Sequence, residues 1–150
     1  MLLFVYGTLR KGFSNHYLLD GATFVGDGKT VDNFYMVGRL NFELDEFEDG
    51  RSPPRQLLFP YIFKEELRDG VECVQITGEL YEVSDGLCVE IDKHEGHPGI
   101  YKRTEIDVIV ENKLCKAATY ILESPEIKAE ISNNFNLFVP IGSGDWRKGT

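Results

Sequence analysis

Two short stretches of this chain combine residue types and spacings that can support chemistry. The first is Val5-Tyr6-Gly7-Thr8-Leu9-Arg10-Lys11-Gly12, an apolar segment that runs straight into a glycine-bounded loop. Backbone N–H groups at such a point lose their sheet partners and must find others. Amides freed in this way can converge on an anion or a developing oxyanion. Gly7 and Gly12 also stand at the spacing of a phosphate-binding GxxxxG loop. The next residues, however, are Phe13 and Ser14, where that motif requires Lys and then Ser or Thr, which argues against nucleotide binding. An ordinary turn after a central strand explains the loop equally well, so the loop alone decides nothing.

The second stretch surrounds Glu95. At spacings of three and four, Cys88, Ile91 and Glu95 share one stripe of a short helix, with Leu87 beside them. Glu95 lies near the helix C-terminus, where the macrodipole disfavours negative charge, and on the stripe that burial claims. Both effects push its pKa upward, which suits a group that carries a proton back and forth near neutral pH. The competing reading is a glutamate at a frayed helix end, turned to solvent. Asp92, His94, Glu95 and His97 also cluster, but Gly96, Pro98 and Gly99 break the helix between the histidines and no HExxH pattern exists. The expectation is surface histidines and no metal. Cys73, Cys88 and Cys115 fit neither a disulfide framework nor a CxxC clip, and are expected as reduced, buried thiols.

Several elements must position these groups. Leu2 to Tyr6 is apolar throughout, as in a strand covered on both faces. Ser14 is a candidate cap for a short helix from Asn15 to Leu19, and Ala22 to Val25 and Val31 to Val37 read as two strands separated by Gly26, Asp27 and Gly28. The acidic, proline-bearing run from Glu43 to Arg55 reads as an exposed loop. Leu57 to Phe63 contains Pro60 and is an edge strand or an irregular pocket wall. Alternation from Val71 to Val83 predicts a long strand bent near Gly78, followed by Ser84 capping a helix over Asp85 to Glu95. Tyr101 to Glu111 and Leu114 to Leu122 form a hairpin across Asn112 and Lys113, with Ile106, Val108 and Val110 on one face. The segment from Ser124 onward is not assigned, apart from a loop-like Pro140 to Trp146.

Composition restricts the classes of function. At 150 residues, one domain over 1–150 is expected, able to bury roughly 70% of the surface of its unfolded form. Sixteen Lys plus Arg against 25 Asp plus Glu leave a net charge of -9, which repels a phosphate backbone and argues against nucleic acid as a partner. The apolar start, Met1 to Val5, has no basic flank and stops at Gly7, too short for a signal peptide or a membrane span. A cytoplasmic location is the expectation.

Taken together and in order, VYGTLRKG, GELYEV and IDKHEGHPGIYKR resemble the gamma-glutamylcyclotransferase-like family, and within it the gamma-glutamylamine cyclotransferase and AIG2-like branch. Gly21-Ala22, Phe59-Pro60-Tyr61 and the late IGSGDW are similar to weaker family landmarks. The resemblance implies an α+β fold, a small mixed, mostly antiparallel β-barrel with flanking short helices. It implies a cavity floored by the YGTL loop, with Tyr6, Gly7, Thr8 and Leu9 binding substrate and Glu95 in the catalytic position. The implied reaction closes a gamma-glutamyl group, by preference that of a gamma-glutamylamine, into 5-oxoproline with release of an amine, and needs no cofactor. Tyr101 and Arg103, just past the turn, are candidates to orient the substrate carboxylate, although Arg103 reads equally as a surface strand residue. Two departures bear on substrate choice. The charged insertion from Glu43 to Pro54 is longer than usual, and His94 stands where relatives often carry Phe or Gln. Two rival readings remain open: a non-catalytic module that binds a small metabolite in the same cavity, and a scaffold whose acidic loop from Glu43 to Asp49 recruits a basic partner.

Overall fold

The computed structural model describes residues 1–40 and 57–149, so the expectations for the acidic run from Glu43 to Arg55 fall outside the described residues. The strands are β1 (Leu2–Val5), β2 (Thr23–Leu40), β3 (Leu57–Phe63), β4 (Cys73–Glu82), β5 (Tyr101–Val110), β6 (Lys113–Leu122) and β7 (Phe138–Pro140). The helices are α1 (Asp85–Glu95) and α2 (Pro125–Asn133), with 3₁₀ turns at His16–Leu19 and Phe135–Leu137. The fold is α+β and mostly strand, as expected. Strand order is β3-β2-β4-β1-β6-β5, with β7 paired to β2. Every pairing is antiparallel except β1 with β6, which run parallel at Leu3 and Ala118.

The expected barrel is better described as one strongly coiled sheet. Closure between β2 and β5 is limited to the pairs Gly28/Val110, Lys29/Ile109 and Thr30/Val108, so the sheet is not a true barrel. This pairing also corrects the reading of Gly26-Asp27-Gly28 as a break between two strands. β2 runs without interruption for 18 residues, with register shifts against β4 between Phe24 and Gly26 and between Lys29 and Asn33. The glycines mark close approach, because a Cβ on Gly28 would lie 2.4 Å from the Ile109 carbonyl oxygen.

β1 is covered on both faces, as its composition requires. Leu3 and Val5 pack with Cys88 and Ile91 of α1, while Phe4 and Tyr6 face the interior of the coiled sheet with Met36, Ile76 and Leu80. α2 buries Ile131 against Val37, Phe63 and Phe138 on a separate face. Ser124 caps α2 by accepting from the Ile127 amide. The hairpin turn falls on Glu111 and Asn112, both with positive φ (51° and 64°), one residue before the expected position. Ile106, Val108 and Val110, read from the sequence as one face, are all buried.

Two local expectations fail. Ser14 caps nothing: the segment is a single 3₁₀ turn over His16–Leu19, preceded by Asn15 with no side-chain cap. Of the three thiols only Cys88 is buried; Cys73 is exposed and Cys115 lies between. Cys73 opens β4 facing solvent, and Cys115, near the hairpin turn, packs partly buried against the interior cluster.

Candidate active site

α1 follows β4 after the two residues Val83 and Ser84, where the Ser84 hydroxyl accepts from the Leu87 amide at 3.1 Å. It ends at Gly96 in the left-handed region (φ 66°), whose N–H is received by the Asp92 and Lys93 carbonyls. With Cys88 and Ile91 buried against β1, the next residue on the stripe, Glu95, is carried to a cavity of about 340 Å³. Glu95 is half-buried there, and burial raises its carboxyl from the ordinary 4.5 to about 7. The alternative of a solvent-turned glutamate is not what the structure contains.

The same cavity is lined by Tyr6, Gly7, Thr8, Leu9 and Tyr101, so these five residues share one space with Glu95. The loop turns back on itself through its carbonyls. Gly7 O accepts from the Arg10 amide, Thr8 O accepts from the Asn15 amide, and Leu9 O lies 2.9 Å from the His16 Nδ1. The Thr8 hydroxyl oxygen accepts from Asn15 Nδ2 at 2.9 Å. Among the described residues, no acceptor pairs with the amides of Gly7, Thr8 or Leu9. These N–H groups are therefore available to an anion or a polarised carbonyl.

A buried ionic anchor holds the loop from behind. Arg10, 5% exposed, donates through Nε to Glu79 Oε2 at 3.2 Å and through Nη1 to Asp145 Oδ1 at 2.8 Å. Glu79 also accepts from the Lys11 amide and from the Tyr81 hydroxyl. This accounts for the Asp145 and Trp146 end of the late IGSGDW stretch, since Trp146 packs within the interior cluster.

Sequence reasoning missed Asn15, Ile100 and Tyr120 as parts of the wall, while Phe59, Pro60 and Tyr61 line the cavity from the segment read as an edge strand or pocket wall. Tyr120 comes from β6, and nothing in its local sequence distinguishes it from a core tyrosine. Three phenols around the cavity commit their protons elsewhere: Tyr6 to Tyr120 O at 2.6 Å, Tyr120 to Asp92 Oδ1 at 2.6 Å, and Tyr101 to Pro60 O at 2.9 Å. Burial first, and then the charge of Glu95, raises Tyr6 well above the usual phenol range, and burial leads for Tyr101 as well. These phenols stay neutral near pH 7, where the Glu95 carboxyl is partly ionised.

Arg103 is not part of the cavity wall. Its Nη1 donates to Asp92 Oδ2 and to Cys88 Sγ, which removes it as a carboxylate-orienting candidate. The histidines do not form a surface pair either. His94 is exposed at the cavity rim, while half-buried His97 accepts the Arg103 amide at Nδ1, 2.9 Å away. Asp92 is already engaged by Arg103 and Tyr120, and among the described residues no group of three His, Cys, Asp or Glu is placed to hold a metal. Also among the described residues, no helix is long and apolar enough to cross a membrane.

The profile of the family described as "Gamma-glutamyl cyclotransferase, AIG2-like" matches residues 3–148. A gamma-glutamylaminecyclotransferase of Rattus norvegicus is 35% identical over 115 residues, which are 72% of this chain and 63% of that protein, a little under two thirds of its length. The crystal structure of an AIG2-like protein from Mus musculus aligns with a TM-score of 0.57 at 28% identity, covering 83% of this chain and 80% of that one. A uropathogenic E. coli-specific protein shares the fold at a TM-score of 0.63 and 16% identity, covering 98% of this chain and 92% of that one. With the YGTL loop and the end of α1 meeting at one cavity and the family profile spanning almost the whole sequence, the chain belongs to the gamma-glutamyl cyclotransferase, AIG2-like family.

Proposed function

We propose that this protein is a cyclotransferase that converts gamma-glutamylamines into 5-oxoproline and a free amine, with Glu95 as general acid/base. The observation that carries the reading is a carboxyl raised to about 7 sharing one cavity with the unpaired amides of Gly7, Thr8 and Leu9. In the reaction the alpha-nitrogen of the gamma-glutamyl group attacks its own gamma-carbonyl carbon. The new C–N bond closes a five-membered lactam and the old amide C–N bond breaks. Glu95 takes one proton from the alpha-ammonium before attack and a second from the same nitrogen after it, the loop amides receive charge developing on the carbonyl oxygen, and Glu95 passes the two protons in turn to the departing nitrogen, which leaves as an ammonium.

Nucleophile and electrophile arrive in one molecule, so the task of the protein is mainly to hold a bent pose. Effective molarities for well-oriented intramolecular attack reach about 10⁵ to 10⁸ M. A general acid/base adds roughly 10²- to 10⁴-fold and an oxyanion donor roughly 10²- to 10³-fold. The step draws on no metal or organic cofactor. Tyr6 and Tyr101 shape the pocket around the glutamyl group.

Preference for amines over amino acids as leaving groups is supported by the rim. Phe59 and Ile100 are apolar and partly exposed there, and no Lys or Arg is among the described wall residues to meet a leaving-group carboxylate. The two described thiols that reach water, Cys73 and Cys115, are unpaired, which accords with a reducing, cytoplasmic setting for a single catalytic domain. The test is incubation with gamma-glutamylamines and gamma-glutamyl amino acids side by side, with 5-oxoproline measured by mass spectrometry. The expected result is release from the amines first. Saturable binding without release of 5-oxoproline from any substrate would replace this reading with a metabolite-binding module.

A further inference from the structure

The end of α1 is tied to the sheet on both sides of Glu95. One turn before it, Asp92 accepts from the Tyr120 hydroxyl at 2.6 Å and from Arg103 Nη1. Two residues after it, His97 Nδ1 accepts from the Arg103 amide at 2.9 Å. Tyr120 also receives the Tyr6 hydroxyl on its backbone oxygen at 2.6 Å. A single β6 residue thus touches both halves of the site, holding the root of the amide loop through its carbonyl and the glutamate-bearing helix through its hydroxyl.

We propose that Asp92 is a positioning residue: held by Tyr120 and Arg103, it fixes the last turn of α1 so that Glu95 stays over the Gly7 to Leu9 amides. The proposal rests on the acid/base role of Glu95 argued above. A side chain that must sit within a fraction of an ångström of its target depends on the groups that lock its own element. A misplacement of about 1 Å costs up to roughly 10²-fold in rate. The groups facing Glu95 are the phenols of Tyr6, Tyr61, Tyr101 and Tyr120 from the β1 loop, β3, β5 and β6, with His94 beside it on the helix. Of these, Tyr120 reaches the helix through its bond to Asp92, the residue of α1 that carries the tie.

The experiment compares Tyr120→Phe, Asp92→Ala and the double variant in the full chain. Phenylalanine keeps the ring in the wall and the carbonyl that receives Tyr6, removing only the tie to Asp92. Each single variant is expected to lower kcat about 10- to 100-fold with KM within about twofold. The double should be no slower than the worse single, because both cut the same tie. Independently of turnover, isotope-edited NMR should show the Glu95 carboxyl titrating near 7 in the parent and falling toward 4.5 in each variant as the side chain reaches water.

Multiplying losses in the double variant would overturn the proposal, as would an unmoved Glu95 titration. A KM increase in Tyr120→Phe absent from Asp92→Ala would overturn it too, by making Tyr120 a direct substrate contact. A parent protein that releases no 5-oxoproline but shows the titration shifts would sink the cyclotransferase reading and leave the positioning role standing.

Discussion

Glu95→Gln separates function from stability, because the two should move in opposite directions. In the folded protein the carboxyl is raised from 4.5 to about 7 by burial, so between those pH values the native state binds more protons than the unfolded chain. Stability therefore falls as pH rises through this window, and above about 7 the fold carries the full cost of a partly desolvated carboxylate. That displacement corresponds to on the order of 3 kcal/mol, reduced to on the order of 2 kcal/mol because Glu95 is only half-buried and water screens it. Glutamine has the same shape and no charge. Its substitution is expected to stabilise the protein by about that amount at pH 8 and very little at pH 4, read from urea unfolding at both values. In the same samples, 5-oxoproline release from a gamma-glutamylamine should drop by about 10²- to 10⁴-fold. Parental turnover in the glutamine variant would refute the acid/base role, and equal stability at pH 8 would refute the burial argument beneath it.

The remaining expectations use different parts of the site. The kcat/KM profile of the parent should rise roughly tenfold per pH unit below about 7 and level off above it, since the free carboxylate must take the proton of the alpha-ammonium; a flat profile between pH 5 and 8 would contradict this. Gly7→Ala would place a Cβ 2.7 Å from Pro60 Cγ and 2.9 Å from Pro60 Cδ, forcing the amide loop off the β3 wall. It should destabilise by about 1–3 kcal/mol and depress turnover, checked by thermal melts and the product assay. Arg10→Met leaves the buried Glu79 carboxylate without its nearest cation and should cost about 3–5 kcal/mol, seen as a lower urea midpoint.

Much of this arrangement could be read without coordinates, and the reasons are local. Ser84, the Cys88–Ile91–Glu95 spacing and Gly96 mark the start, buried stripe and end of α1 within a dozen residues. The unbroken apolar run before Gly7 announces a strand with two covered faces. In each case the signal and the structure it specifies occupy the same stretch of chain. Where the reading failed, the cause lay elsewhere in the sequence. Gly26 and Gly28 looked like a break because the reason for them is β5, the Val110 side chain at Gly26 and the Ile109 carbonyl at Gly28, more than 80 positions away. Arg103 looked available to substrate until Asp92 and Cys88 took its guanidinium.

What the chain alone determined is which groups are capable of the chemistry: a loop of amides after a buried strand and a carboxylate on a buried helical stripe. Only the folded molecule decided that they share one cavity, that Tyr120 links them, and that the carboxyl sits near 7. Propensity, capping and periodicity act over neighbours in sequence, whereas desolvation and shared hydrogen bonds depend on which distant residues arrive at the same place.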